Sequence, residues 1–157
     1  MKIVTIAAIS AWLGVLAFLA FVIAPAAFGT LERGAAARLI SVLMPRYHWI
    51  GLGLGGVALI GILARRNQPA TGWSDRLPLL LVVLMLVLTL GSLFALLPRI
   101  ESLRDAALAA RAAGQESAPA VVRFRQLHTL SSLSGISVLI AGVGALVAEA
   151  LRGRSGP

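Results

Sequence analysis

Four long stretches without a charged residue dominate this chain. They cover residues 3–28, 47–64, 77–97 and 127–148. A helix needs roughly 17 to 25 residues to cross the hydrocarbon of a bilayer. One Arg, Lys or Asp at its centre costs about 2.5 to 3.5 kcal/mol on insertion scales. Because all four stretches have about the required length and none carries that cost, the sequence predicts four membrane-spanning helices.

Composition agrees with a membrane location. Hydrophobic residues make up 59% of the 157-residue chain and charged residues only 13%, and the mean hydropathy is +0.92. So few charges do not cover a globular surface in water. The chain has no cysteine, which excludes thiolate metal ligation, thioether haem attachment and disulfides.

The connections between the apolar stretches carry helical signals of their own. Residues 29–44 repeat apolar side chains at helical spacing, which predicts a short interfacial helix after the first span. Residues 99–113 are rich in Ala, Leu and Arg and precede Gly114, which predicts a helical extension between the third and fourth spans. We therefore expect an all-α integral membrane four-helix bundle, a single domain over residues 1–157 with spans at about 3–28, 46–64, 77–98 and 124–149.

The net charge of +8 is first an indicator of orientation and of attraction to anionic lipid. We call the membrane side that holds the N-terminus side A and the opposite side B. Six of the 14 basic residues fall on side A and eight on side B, which weakly favours loops 1 and 3, on side B, as cytoplasmic. The expected partners are the lipid bilayer and other membrane proteins or a second copy of the chain. We expect no nucleic acid.

The sequence GLGLGG at residues 51–56 matches the G-x-G-x-x-G fingerprint of dinucleotide sites letter for letter. That fingerprint needs a preceding strand and a water-exposed loop. Here it lies inside a charge-free span, where unpaired amides cost several kcal/mol each, so we expect no nucleotide. Gly51 and Gly55 instead form a small-xxx-small face for helix packing, with Gly56 on a second flank and Gly135 as a packing position in the last span.

Alternating spans bring both histidines of the chain to side B. The first and third spans end there and the second and fourth begin there, so His48 and His128 share one side with Glu101. Neutral imidazole is a common ligand for metals and haem iron, and a closed zinc site needs carboxylates as well. These three residues are candidates for ligand or metal contacts. The alternative for His128 is a backbone cap or a place in the headgroup layer.

Three arginines at the same helix ends, Arg46, Arg99 and Arg125, are candidates for headgroup or anion contacts. Arg99 and Glu101 can also be interpreted as a charged pair at the mouth of a cavity. Glu149, towards side A, is predicted to be interfacial. Neither histidine has a carboxylate close to it in sequence, so we expect no catalytic triad, and an enzyme is the least favoured function class.

An ordered set of residues resembles a known family. It comprises Trp12-Leu13-Gly14, Pro25 and Phe28 in the first span, Pro45-Arg46-Tyr47, Leu97-Pro98-Arg99-Ile100, and Phe124-Arg125-Gln126-Leu127-His128 with Ser131. Over nearly the whole chain it is similar to the transmembrane-protein-205-like family, a membrane domain of unknown function. The resemblance implies four membrane helices and an unassigned activity.

A looser similarity links the chain to the four-helix membrane proteins around copper-resistance protein D and the bacterial haem-binding protoporphyrinogen oxidase. Those proteins place functional histidines in membrane helices. This chain offers only His48 and His128 and has no lysine after Lys2, so it contains no evident His/Lys haem pair.

Two function classes stay open at this point. The first is a bacterial inner-membrane protein that binds a small ligand, metal ion or haem at side B, or helps to transport it. The second is a non-catalytic packing or assembly subunit, whose small-residue faces dock another membrane protein.

Overall fold

A computed structural model describes residues 1–65 and 73–152, with side chains for 1–65 and 76–152. This part of the chain contains no β-strand, which confirms the all-α prediction. Its elements, in chain order, are α1 (Lys2–Phe18), a π-helical turn (Leu19–Ile23), α2 (Ala24–Thr30), α3 (Arg33–Leu63), α4 (Trp73–Gly91), a second π-helical turn (Ser92–Leu96), α5 (Leu97–Ala112) and α6 (Pro119–Leu151).

These elements form four continuous helical rods that are long and apolar enough to cross a membrane. We name them span I (Lys2–Thr30), span II (Arg33–Leu63), span III (Arg76–Ala112) and span IV (Pro119–Leu151). The chain is therefore a multi-pass integral membrane protein. At 1.5 Å per residue each rod is roughly 43 to 56 Å long, which exceeds the hydrocarbon thickness of about 30 Å. Because the charged residues of spans II, III and IV concentrate towards side B, those spans extend beyond the membrane mainly on that side.

The short helix expected in residues 29–44 is not a separate element. Helix α3 begins at Arg33 and runs without a break through Pro45 to Leu63, so those residues form its first turns. The extension expected after the third span is present as α5, which continues span III. Gly114 follows α5 with φ +72°, a left-handed conformation that glycine adopts without the steric cost of a Cβ.

The four spans pack as a square. Span I contacts spans II and IV, and span III contacts the same two neighbours, so spans I and III occupy opposite corners. Buried residues recur at spacings of three and four, which is the pattern of side chains that interlock along helix seams. In span I they are Thr5, Ile9, Trp12, Leu16 and Leu19.

A π-helical turn interrupts both odd-numbered spans at the corresponding place. In span I the N–H of Ala24 donates to the carbonyl of Leu19, five residues back, directly before Pro25. The turn Ser92–Leu96 repeats this arrangement before Pro98, which is 73 residues after the first proline. Proline has no N–H to donate to the carbonyl four residues before it, so both spans widen just before that missing bond.

The pattern of buried positions repeats as well. In spans I and III the equivalent buried residues lie 73 apart: Thr5/Pro78, Ile9/Val82, Trp12/Met85, Leu16/Thr89 and Leu19/Ser92. In spans II and IV they lie 87 apart: Gly51/Val138, Gly55/Gly142, Ala58/Ala145 and Ile62/Glu149. Hairpin 1 (spans I and II) and hairpin 2 (spans III and IV) are thus structural repeats. The two hairpins occupy equivalent places in the square.

Candidate functional site

His48 lies inside the side B half of the bundle, and only 5% of it is exposed. Its Nδ1 is 2.7 Å from the carbonyl oxygen of Met44, one turn earlier. Because a carbonyl only accepts hydrogen bonds, Nδ1 carries a proton, and in the neutral imidazole Nε2 is then the nitrogen with the lone pair. The ring packs edge-on against Tyr47, with centroids 4.8 Å apart. A neutral imidazole held in this way is ready to act as a ligand or a proton acceptor through Nε2.

His128 has a different environment. Its side chain is exposed and stacks on Phe124, with ring centroids 6.0 Å apart and an angle of 3° between the planes. His48 and His128 belong to spans at opposite corners of the square, and the described structure does not bring their rings into contact. No group of three or more His, Cys, Asp or Glu side chains within residues 1–65 and 76–152 is placed to hold a metal ion. A site shared by the two histidines stays a prediction.

Glu101 contacts an arginine one turn further along α5. Its Oε2 lies 2.8 Å from Nη1 of Arg104. Arg99, the partner considered from the sequence, is exposed. The Glu101 pair therefore belongs to the surface of one helix.

The three arginines proposed as anion contacts are all exposed and lie in the side B halves of their spans. Arg46 donates from Nη1 to the carbonyl of Val42 at 3.2 Å. Arg99 and Arg125 flank the side B ends of the charge-free stretches of spans III and IV. Long guanidinium side chains at this depth reach lipid phosphates or an anionic ligand.

The glycines of GLGLGG divide into packed and open positions. A Cβ at Gly51 or at Gly55 would overlap the indole of Trp12, which is completely buried. Close approach of spans I and II therefore requires glycine at both positions. A Cβ at Gly56 or at Gly135 would meet no atom within 4 Å, so helix packing does not require glycine there.

Polar side chains in the bundle interior were missed by the sequence reasoning. The hydroxyls of Ser92 and Ser134 are 3.0 Å apart and join spans III and IV. Thr89 is buried, and its hydroxyl has no hydrogen-bond partner in the described part of the chain. Trp12 and Tyr47 lie in one buried cluster with Met85 at the centre of the bundle. Polar groups are costly in hydrocarbon and often mark functional regions. These buried polar side chains are therefore further candidates for ligand contacts in the bundle interior.

A second polar cluster lies at the side A end. Glu149, which the sequence predicted to be interfacial, has a completely buried side chain. Its Oε2 lies 3.0 Å from Nη1 of Arg65, and its Oε1 lies 3.5 Å from Nη1 of Arg152. Arg65 also donates to the Thr5 hydroxyl at 3.2 Å and to the carbonyl of Gly61 at 2.9 Å. Spans I, II and IV meet at this carboxylate.

A family model matches residues 7–109, and its description is a domain of unknown function, DUF4149. The chain belongs to the DUF4149 family. The matched region holds spans I and II and most of span III, including His48, Arg46 and Arg99. No curated protein and no solved structure matches the chain. The DUF4149 match agrees with the resemblance to a membrane domain of unknown function. It does not reach the transmembrane-protein-205-like assignment or the looser similarity to copper-resistance protein D.

Proposed function

We propose that this DUF4149 protein binds a small ligand in the side B half of its bundle, and helps to transport it, with His48 as the central contact. The observation that carries the proposal is the hydrogen bond from Nδ1 of His48 to the Met44 carbonyl, which makes Nε2 the lone-pair nitrogen of a neutral, largely buried ring. We place the protein in a bacterial inner membrane, as its similarity to the four-helix families named above suggests.

Groups in the side B halves of spans II and III favour a ligand with both a coordinating and an anionic part. Neutral imidazole coordinates haem iron and transition metals. Arg46 and Arg99, exposed at the same end of neighbouring spans, are suited to carboxylates or phosphates. Haem combines these features, since it has an iron atom and two carboxylates. Glu101 and His128, closer to the side B surface, are secondary candidates, and Arg125 is a further anion contact.

The test is a haem titration of the purified protein with matched histidine variants. We expect a Soret band for the native protein that His48→Ala abolishes and that His128→Ala weakens by less. Elemental analysis of the same samples checks for a bound metal ion. Blank absorbance and blank elemental analysis of the native protein, with both substitutions silent, would remove the cofactor from the proposal.

A non-catalytic assembly subunit is the second candidate, and one specific observation favours it. Span I exposes small residues on its outer face, at Ala7, Ser10, Ala11 and Gly14, and a Cβ at Gly14 would meet no atom within 4 Å. Small faces of this kind allow another membrane helix to approach closely.

This candidate predicts a defined partner or a second copy after mild detergent extraction. Gly14→Leu is expected to release it. Gly53→Leu, at another exposed glycine with open space around it, is the matched control and is expected to have no effect. Finding only monomer in native extracts would count against an assembly role.

Orientation is measurable with single introduced cysteines, because the chain contains none of its own. We propose that side B faces the cytoplasm, on the weak excess of basic residues there. Ser117→Cys, in the exposed connection between α5 and α6, should then react with an impermeant maleimide only in inverted vesicles. Labelling of intact cells would reverse the assignment.

A further inference from the structure

The contact between Arg65 and Glu149 joins the two repeated hairpins. Arg65 follows span II of hairpin 1, whereas Glu149 belongs to span IV of hairpin 2. Thr5 of span I accepts a hydrogen bond from the same guanidinium. The cluster therefore connects three of the four spans at the side A end of the bundle.

The two hairpins differ at the position of the Glu149 carboxylate. Arg65 and Arg152 are 87 residues apart and so occupy equivalent positions in the two hairpins. Both guanidinium groups approach Glu149, whose own equivalent in hairpin 1 is Ile62. Two cations at equivalent sequence positions thus approach one carboxylate that is present in only one hairpin. A buried carboxylate in this position holds the hairpins together only while its ion pair is intact.

The side B end lacks an equivalent charged connection within residues 1–65 and 76–152. The ion pairs described there, Glu101 with Arg104, Arg104 with Asp105, and Arg111 with Glu116, lie within hairpin 2. Across the hairpins the aromatic contact at that end is between two exposed rings, those of Trp49 and Phe94, with centroids 6.1 Å apart. An ion pair therefore connects the two hairpins at the side A end, whereas the described ion pairs at the side B end, near His48, do not connect them.

We propose that the Arg65–Glu149 pair is a gate that closes the side A end of a ligand path between the two hairpins. Its opening would connect the interior with side A, as expected if the repeats rock against each other around a central site. The gate deepens the proposed transport role of the His48 site and rests on it for its biological purpose. The opening itself is measurable without any ligand.

The experiment uses the full chain in vesicles with one reporter cysteine at a time. Ala145, fully buried one turn before Glu149 on span IV, reports on the side A half, and Ser92 reports on the side B half. An impermeant maleimide added from side A should label Ala145→Cys slowly. Glu149→Gln keeps the shape of the side chain but removes its charge. We expect it to speed that labelling roughly tenfold, the factor that about 1.4 kcal/mol in an opening equilibrium produces.

Two controls separate gating from loss of structure. Glu116→Gln removes an exposed carboxylate at side B and should leave the labelling of Ala145→Cys unchanged. Labelling of Ser92→Cys from side B should not respond to Glu149→Gln. Equal acceleration at both reporters indicates general loosening and overturns the gate, as does unchanged labelling accompanied by a lower unfolding temperature.

A milder variant keeps the proposal testable if Glu149→Gln does not fold. Arg65→Lys retains the charge but loses the Nε bond to the carbonyl of Gly61. We expect it to give an intermediate labelling rate, and a rate equal to that of the native protein would contradict the gate. Because labelling requires no ligand, a failed haem titration leaves this result unaffected.

Discussion

The two ends of the bundle hold charge in opposite ways. At side A, Glu149 is 0% exposed and its partner Arg65 is 27% exposed, on a different hairpin. At side B, the side chain of Glu101 is 37% exposed and pairs with Arg104, which is 18% exposed and lies on the same helix, so the two ends differ in the burial of the carboxylate and not of the arginine. Removing one partner of a buried pair costs about 3 to 5 kcal/mol, whereas an exposed pair contributes roughly 0 to 1 kcal/mol. The Glu–Arg pair at side A therefore connects two hairpins, whereas the Glu–Arg pair at side B lies within a single helix.

The largest effect is expected from Arg65→Ala. It leaves the fully buried carboxylate of Glu149 without its partner from the other hairpin, so we expect a loss of about 3 kcal/mol or more. In thermal unfolding of the detergent-purified protein this should appear as the greatest decrease of any single variant discussed. A decrease no larger than that of Glu101→Ala would show that the two ends do not differ in this respect.

A smaller but still large loss is expected midway between the ends from Gly55→Leu. The new side chain would overlap the indole of Trp12 and the side chain of Leu86, and overpacking of this kind costs about 1 to 3 kcal/mol. Gly53→Leu is the matched control, because its Cβ points into open space on the same helix. If both variants unfold at the same temperature, the close contact between spans I and II does not contribute to stability.

Substitutions in the interior of the side B half are expected to lower the stability less. Ser92→Ala removes one side of the hydrogen bond to Ser134, and the expected loss is about 0.5 to 1.5 kcal/mol. Thr89→Val, nearby on the same span, removes a hydroxyl that has no partner in the described structure. It should therefore leave the unfolding temperature unchanged or raise it. A marked loss for Thr89→Val would reveal a bound group in this half.

The smallest effect is expected from Glu101→Ala. Its ion pair with Arg104 is partly exposed and lies one turn apart on one helix, so the expected loss is about 0.5 kcal/mol or less. The comparison is made at low and at high salt, since screening weakens exposed pairs. A loss of several kcal/mol would place Glu101 in a tertiary contact and remove the contrast between the ends.

Much of the fold was predictable because membrane insertion imposes a simple physical requirement. Charge-free stretches of sufficient length predict the four spans, and Gly114 predicts the end of α5. The similarity between spans I and III was also predictable from the sequence, since Phe21-x-x-x-Pro25 recurs as Phe94-x-x-x-Pro98. The continuity of α3 through Pro45 was not predicted, because the sequence does not reveal whether a proline ends a helix or is tolerated within it.

The candidate site was only partly accessible from the sequence. Connectivity alone placed His48 and His128 on one side of the membrane. It did not distinguish the buried His48 from the exposed His128, because this depends on which face of each span meets a neighbour. The burial of Glu149 was not predicted, for the same reason. Its position near a helix end suggests an interfacial residue, and the sequence does not show that Arg65, 84 residues earlier in the chain, lies beside its carboxylate.

The sequence by itself determined that this chain crosses a membrane four times as helices, because hydrocarbon rejects charge and unpaired backbone groups wherever they occur along the chain. Tertiary structure alone decided how these helices meet. In a span whose apolar residues face both lipid and protein, hydrophobicity does not mark the packed side. Only the contacts between spans therefore show that GLGLGG packs against the indole of Trp12 and that Glu149 pairs with the guanidinium of Arg65.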